Sequence, residues 1–144
     1  MDKVPWQTIP LFRHLATPTL EALLGSAQRR TYPRGTTLLR RGDTSQGLII
    51  ILEGLVAVQV PGTDGQPRVV VHLGPGQVLG EMALVDQGPH SADVIAVQPT
   101  KTLCIPAQAF WDFCEHHPQA GLTLLRNLAA ELAFKLRHAD LSLV

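Results

Sequence analysis

Residues 78–92 read Val78-Leu79-Gly80-Glu81-Met82-Ala83-Leu84-Val85-Asp86-Gln87-Gly88-Pro89-His90-Ser91-Ala92, and this order of residue types describes a cradle for an anion. Gly80 carries no Cβ and lets another group come close to its backbone. The apolar run Met82 to Val85 is long enough for one helical turn, whose first N–H groups have no acceptor within the helix. Ser91 and Ala92 add donors from the opposite side, and a phosphate suits such a ring of donors. Glu81, set between a glycine and an apolar turn, reads as a functional carboxylate and not as a solvated loop charge.

On both sides of this stretch the chain has the texture of a β-roll. From about residue 30 to residue 106, short β-branched and leucine-rich runs alternate with glycine and proline, as a mainly β roll or barrel requires. Thr36 to Arg40 precedes a Gly42-Asp43 turn. Leu48 to Leu52 and Val56 to Val60 flank Glu53-Gly54, which reads as a tight hairpin because glycine tolerates a positive φ. A second turn at residues 61–67 leads into Arg68 to Leu73, and Gly74-Pro75-Gly76 breaks the chain before Val78. Asp93 to Val97 and Thr102 to Ile105 complete about eight strands.

Helices flank the roll. Thr17-Pro18 reads as an N-cap followed by a proline at the first helical position, with Leu20, Leu23, Leu24 and Ala27 at helical spacing. After Pro106, Phe110, Phe113 and Cys114 share a helical face until Pro118 forces a new start. A long helix is expected over residues 118–142. Along it Leu122, Leu125, Ala129, Leu132, Leu136, Ala139 and Leu143 alternate three and four apart, a narrow heptad seam that predicts pairing with a second copy. Leu124, Leu128 and Phe134 lie off that seam and are the candidates for contact with the roll. Glu131 and Lys135 form an i,i+4 pair of the favourable order.

Composition narrows the function classes. With 144 residues, 45% of them hydrophobic, the chain supports one core and is read as a single domain, 1–144. Twelve basic residues balance twelve acidic ones, so no basic excess draws the protein to nucleic acid, and no direct nucleic-acid contact is expected. The sequence holds no run of a membrane span's length, and Met1 to Pro10 lacks a signal-peptide core; a cytoplasmic location is expected. Cys104 and Cys114 belong to no CxxC pair and read as buried free thiols. Cys114-Glu115-His116-His117 lacks the second ligand pair that structural zinc needs, so no metal is expected.

The segment 78–92 resembles the phosphate-binding cassette of the cyclic nucleotide-binding domain family, in the manner of effector domains of Crp/Fnr-like proteins without a helix-turn-helix. That cassette reads approximately Gly-Glu-x-Ala-Leu, a spacer, then Pro-Arg-Ser/Ala-Ala. The match covers Gly80-Glu81-Met82-Ala83-Leu84 and Pro89-His90-Ser91-Ala92, and Gly35, Gly42, Gly54 and Gly76 stand where that family's roll turns, so the resemblance spans roughly residues 10–140. It implies a double-stranded, jelly-roll-like β-roll with an N-terminal helix and a long C-terminal dimerisation helix. It further implies that Glu81 accepts from a ribose 2′-hydroxyl, that Gly80 and Ala83 approach the sugar-phosphate through backbone groups, and that Ser91 and Ala92 donate to phosphate oxygens. His90 departs from the pattern: the family places an arginine there, and an imidazole lacks the permanent charge and planar fork of a guanidinium.

The resemblance therefore implies a ligand-sensing regulatory module for cAMP, cGMP or a related phosphate-bearing ligand, signalling as a homodimer to a downstream protein through the C-terminal helix. A cassette without its arginine leaves three outcomes open: weak cyclic-nucleotide binding, another ligand, or an empty fold acting as an interaction module. The effector domain of a transcription regulator is a further alternative. That group carries a helix-turn-helix after the long helix, for which a chain stopping at Val144 leaves no length, so DNA contact would require a separate partner. Catalysis is not expected. His72 and His90 are isolated, Ser91 lies in no nucleophile elbow, and the first thirty residues hold no cysteine cluster for iron-sulfur sensing.

Overall fold

The computed structural model describes residues 6–139. Two 3₁₀ turns, Trp6–Thr8 and Pro10–Phe12, precede helix α1 (Thr17–Leu24). Eight strands follow: β1 (Gln28–Tyr32), β2 (Thr37–Leu39), β3 (Gly47–Glu53), β4 (Val56–Pro61), β5 (Pro67–Leu73), β6 (Val78–Leu79), β7 (Asp93–Ala96) and β8 (Thr100–Pro106). Helix α2 (Glu81–Asp86) sits between β6 and β7, and α3 (Ala107–His116) and α4 (Pro118–His138) close the chain. The strands form two antiparallel four-stranded sheets, ordered β1-β8-β3-β6 and β2-β7-β4-β5. This is the expected mainly β roll with flanking helices, and its strand count is the expected one.

Strand β3 explains the layering. Its run Leu48-Ile49-Ile50-Ile51 is buried throughout, as in a central strand covered on both faces. Leu48 and Ile50 join Leu103, Ile105, Phe110, Leu124 and Leu128 in a core between sheet and helices. Ile49 and Ile51 turn the other way, to Val56, Leu73 and Val94 of the opposite sheet. One strand thus serves two cores through the two-residue period of its side chains.

Several sequence expectations are corrected. The segments around Glu53-Gly54 are not a hairpin: β3 pairs with β6 and β8, while β4 pairs with β5 and β7. The turn carries the chain from one sheet to the other. Its glycine is required all the same, since Gly54 has φ +105° and a Cβ there would lie 2.5 Å from Pro99 O and Thr100 Oγ1. The tight hairpin of this region is β4–β5, closed at Pro61 and Pro67. Thr17 is not the N-cap of α1; Ala16 holds that position, and the Thr17 hydroxyl accepts from Gln7 Nε2 at 2.6 Å. The two thiols are free but half-buried, and burial pushes both up from the ordinary cysteine range.

Helix α4 is the expected long C-terminal helix, and its residues divide among several surroundings. Leu124 and Leu128 pack into the core as expected, but Phe134 stays out and stacks on His138. The seam is not one exposed stripe: Leu122 and Ala129 face outward, Leu125 packs against the core, and Leu132 and Leu136 line a cavity. Leu143 lies outside the described residues. Asn127, buried on the inner face, donates from Nδ2 to Leu11 O at 2.9 Å and Arg13 O at 2.7 Å, tying the helix to the N-terminal turns.

Candidate functional site

The 78–92 stretch forms one wall of a cavity of about 850 Å³, within the usual range for a small-molecule site. Gly80 begins the wall at φ +77°, where a Cβ would meet Gly47 O at 2.9 Å. Only glycine fits this combination of left-handed backbone and close approach. The Leu84 N–H donates to Gly80 O, and α2 turns for six residues before Gln87, itself left-handed, ends it. Ala83 and Leu84 anchor the turn inward while Met82 and Val85 stay exposed.

All seven residues expected at the ligand line this one cavity: Gly80, Glu81, Met82, Ala83, His90, Ser91 and Ala92. The two arms of the cassette therefore converge. The far arm is fastened to the loop after β2: Gly42 N–H donates to His90 O at 2.9 Å, and His90 N–H donates to Asp43 O at 2.8 Å. The opposite wall comes from β4 and β5. These strands slip register between Val58 and Gln59, and the bulge lets the consecutive residues Val70 and Val71 both line the cavity.

Glu81 is 2% exposed, and its two oxygens differ. Lys135 Nζ, reaching from α4, donates to Oε1. Oε2 is buried with no hydrogen-bond donor among the described residues. The expected Glu131–Lys135 pair within α4 gives way to this ion pair between α4 and α2. Glu131 is left with a carboxyl that burial pushes above the usual range; Arg13 and Lys135 draw it back and the Glu81 charge pushes it further.

Two charged cavity residues escape a reading of the sequence. Arg41 lines the cavity, and its backbone N–H donates to Asp93 Oδ1 at 2.8 Å; the adjacent Gly42-Asp43 turn is legible, but its docking onto the cassette is a tertiary fact. Lys135, set among the apolar residues Leu132, Leu136 and Ala139 that also line the cavity, stands where an inward helix face has one cation, a signal hidden by the nearer partner Glu131.

A two-sheet roll with a glycine-led turn, a buried carboxylate and a C-terminal helix lining the same cavity is the architecture of a small-molecule binding domain. Residues 29–117 match the family model described as the cyclic nucleotide-binding domain, and the chain belongs to that family. It is 37% identical over 134 residues to the cyclic AMP receptor protein of Thermus thermophilus, covering 93% of this chain and 60% of that one. Among solved structures, a cyclic nucleotide-binding domain from Methylobacillus flagellatus superposes with TM-score 0.82 at 27% identity, over 91% of this chain and 74% of that one. The N-terminal domain of a transcriptional regulator from Streptomyces coelicolor matches with TM-score 0.77 at 30% identity, over 92% of this chain and 94% of that domain. The chain spans 60% or less of the length of the curated relatives it matches. Among the described residues no helix is long and apolar enough to cross a membrane.

Proposed function

We propose that the cavity binds a cyclic nucleotide, cAMP or cGMP, and that its arrival is transmitted through α4. The observation that carries this reading is Glu81 Oε2. A buried carboxylate oxygen without a donor costs about 1–3 kcal/mol or more, and native structures seldom leave one unsatisfied without a functional reason. A ribose 2′-hydroxyl supplies a donor on a molecule of suitable size, while Lys135 keeps the other oxygen. The convergence of Ser91 and Ala92 on the same cavity supports a phosphate nearby.

Transmission follows from the placement of α4. Lys135 and Leu136 line the cavity, so a ligand that touches Glu81 and Leu136 changes the contacts holding the helix and shifts its preferred position. Leu122 and Leu136 are 60% and 62% exposed, which supports a homodimer through this helix and a downstream protein that reads its change. In this reading the chain is a cytoplasmic binding module and not an enzyme, needs no cofactor beyond its ligand, and makes no direct nucleic-acid contact. Its near-complete overlap with the S. coelicolor domain favours, as the second reading, the effector part of a transcription regulator. An empty interaction fold accounts less well for the unpartnered Oε2.

Calorimetry with cAMP, cGMP and 2′-deoxy-cAMP tests the proposal. Cyclic nucleotide binding is expected, with the 2′-deoxy compound about tenfold or more weaker, since a carboxylate left without its donor loses a charge-assisted bond. Equal affinity for cAMP and its 2′-deoxy form removes Glu81 from the account, and no binding of either ribonucleotide rejects it.

A further inference from the structure

The cavity presents three groups that can carry positive charge, Arg41, His90 and Lys135, and the structure distinguishes them. Lys135 is engaged by Glu81. His90 is 8% exposed and wedged beside Gly80, its ring carbon Cε1 3.7 Å from where a Gly80 Cβ would be. An imidazole also lacks the planar fork of a guanidinium, which pairs with two phosphate oxygens at once. Arg41 is permanently charged, is the one arginine lining the cavity among the described residues, and forms no ion pair with any of them.

The placement of Arg41 is built and not incidental. Its own N–H is held by the Asp93 carboxylate at the start of β7. The next two residues, Gly42 and Asp43, exchange backbone hydrogen bonds with His90 on both sides, and Thr44 bridges to Pro89. The loop after β2 is thus zipped to the far arm of the cassette, so that residue 41 arrives beside His90 and Ser91 with its backbone fixed and its side chain unengaged. The remaining wall is largely aliphatic, from Val58, Val60, Val70 and Val71. Such a wall neither hydrates nor neutralises an anion, so an entering phosphate needs a permanent counter-charge from the protein.

We infer that Arg41 is the residue that grips the phosphate of the ligand, supplying from the loop after β2 the guanidinium that the cassette lacks at His90. The inference rests on the cyclic-nucleotide reading of the cavity and adds to it the residue that selects a phosphodiester. A fork aimed from this loop pairs with two non-bridging oxygens, while the cassette arm contacts the phosphate from its other side.

Calorimetric titration of the full chain with cAMP, in wild type, Arg41→Gln and Arg41→Gln/His90→Arg, tests it. Glutamine keeps the backbone bond to Asp93 and removes the charge. Arg41→Gln is expected to weaken cAMP about tenfold to a hundredfold, the worth of one charge-assisted pair, and to flatten the salt dependence of the affinity. In that background His90→Arg is expected to recover at least about tenfold, because it restores a guanidinium to the same phosphate. Wild-type affinity in Arg41→Gln, or a loss that His90→Arg does not recover, overturns the role of Arg41 while leaving the ligand class standing. A wild type that binds neither cAMP nor cGMP overturns the ligand class, and Arg41's role with it.

Discussion

Replacing Lys135 with methionine tests whether α4 is fastened to the cavity by charge. The substitution keeps an unbranched, apolar side chain along the helix and deletes the one cation that meets Glu81. The pair is well shielded, with side-chain exposures of 19% for Lys135 and 3% for Glu81, and Glu81 Oε2 has no donor of its own among the described residues. Removing one member of a buried pair costs about 3–5 kcal/mol because an uncompensated charge stays behind. The lower end, about 3 kcal/mol, is expected here, since the adjoining cavity lets water approach once the ammonium is gone. For a chain of this size that lowers Tm by about 10 °C. Urea unfolding of wild type, Lys135→Met, Glu81→Gln and the double variant gives the coupling directly. The double variant, with neither charge, is expected to regain most of the loss. A Lys135→Met protein within about 0.5 kcal/mol of wild type, or a double variant no more stable than Lys135→Met, refutes a buried ion pair, because either result means that Glu81 sits in water.

Asn127→Ala removes both hydrogen bonds to Leu11 O and Arg13 O and is expected to cost about 2–3 kcal/mol, read by urea unfolding; a change below about 0.5 kcal/mol means those carbonyls are solvated. Gly54→Ala forces a side chain into a left-handed backbone against Pro99 and Thr100, with an expected loss of about 2 kcal/mol or more, and unchanged stability contradicts the sheet-to-sheet turn. Burial holds Glu131 above the ordinary carboxylate range, so the folded chain binds this proton more tightly than the unfolded one. Its contribution to stability is present at acid pH and is lost as pH rises through the raised value. Glu131→Gln should therefore raise Tm at neutral pH and converge on wild type below the ordinary glutamate range; a variant less stable at neutral pH reverses the sign. Leu122→Glu on the exposed face of α4 is expected to shift sedimentation from dimer to monomer, and a wild type that sediments as a monomer removes the homodimer from the proposal.

The strands were legible as segments because turn residues bracket each of them: Gly42-Asp43, the 61–67 loop and Gly74-Pro75-Gly76 all punctuate the sequence. Their partners were less legible. A glycine between two apolar runs signals a reversal, but Gly54 needs its positive φ equally to bring the chain past Pro99 and into the opposite sheet. The unbroken Leu48 to Ile51 run held the missing clue, since a hairpin strand with one wet face alternates and this one does not. The cassette residues were legible because they are contiguous and chemically unusual. Arg41 and Lys135 reach the same cavity from about 50 residues to either side, and local spacing assigned one to a turn and the other to its i,i+4 neighbour. The heptad along α4 is ambiguous for a related reason: spacing of three and four suits a partner helix, a sheet and a cavity rim alike, and within one chain Leu125 packs on the core while Leu132 and Leu136 line the cavity.

Asn127 and Lys135 fasten α4 at two points of unequal character. The first is a neutral amide clasp on backbone carbonyls, out of a ligand's reach; the second is a charged catch on the wall that a ligand meets. From Asn127 to His138 the helix runs about 16 Å at 1.5 Å per residue, so a tilt of 10° about the clasp would carry the far end sideways by ~3 Å, while the clasp itself stays in place. In the proposed transmission the helix works as a lever about the Asn127 clasp. Whatever reads this protein gains most by gripping the tip, where a small loosening of the catch becomes a displacement as large as a side chain.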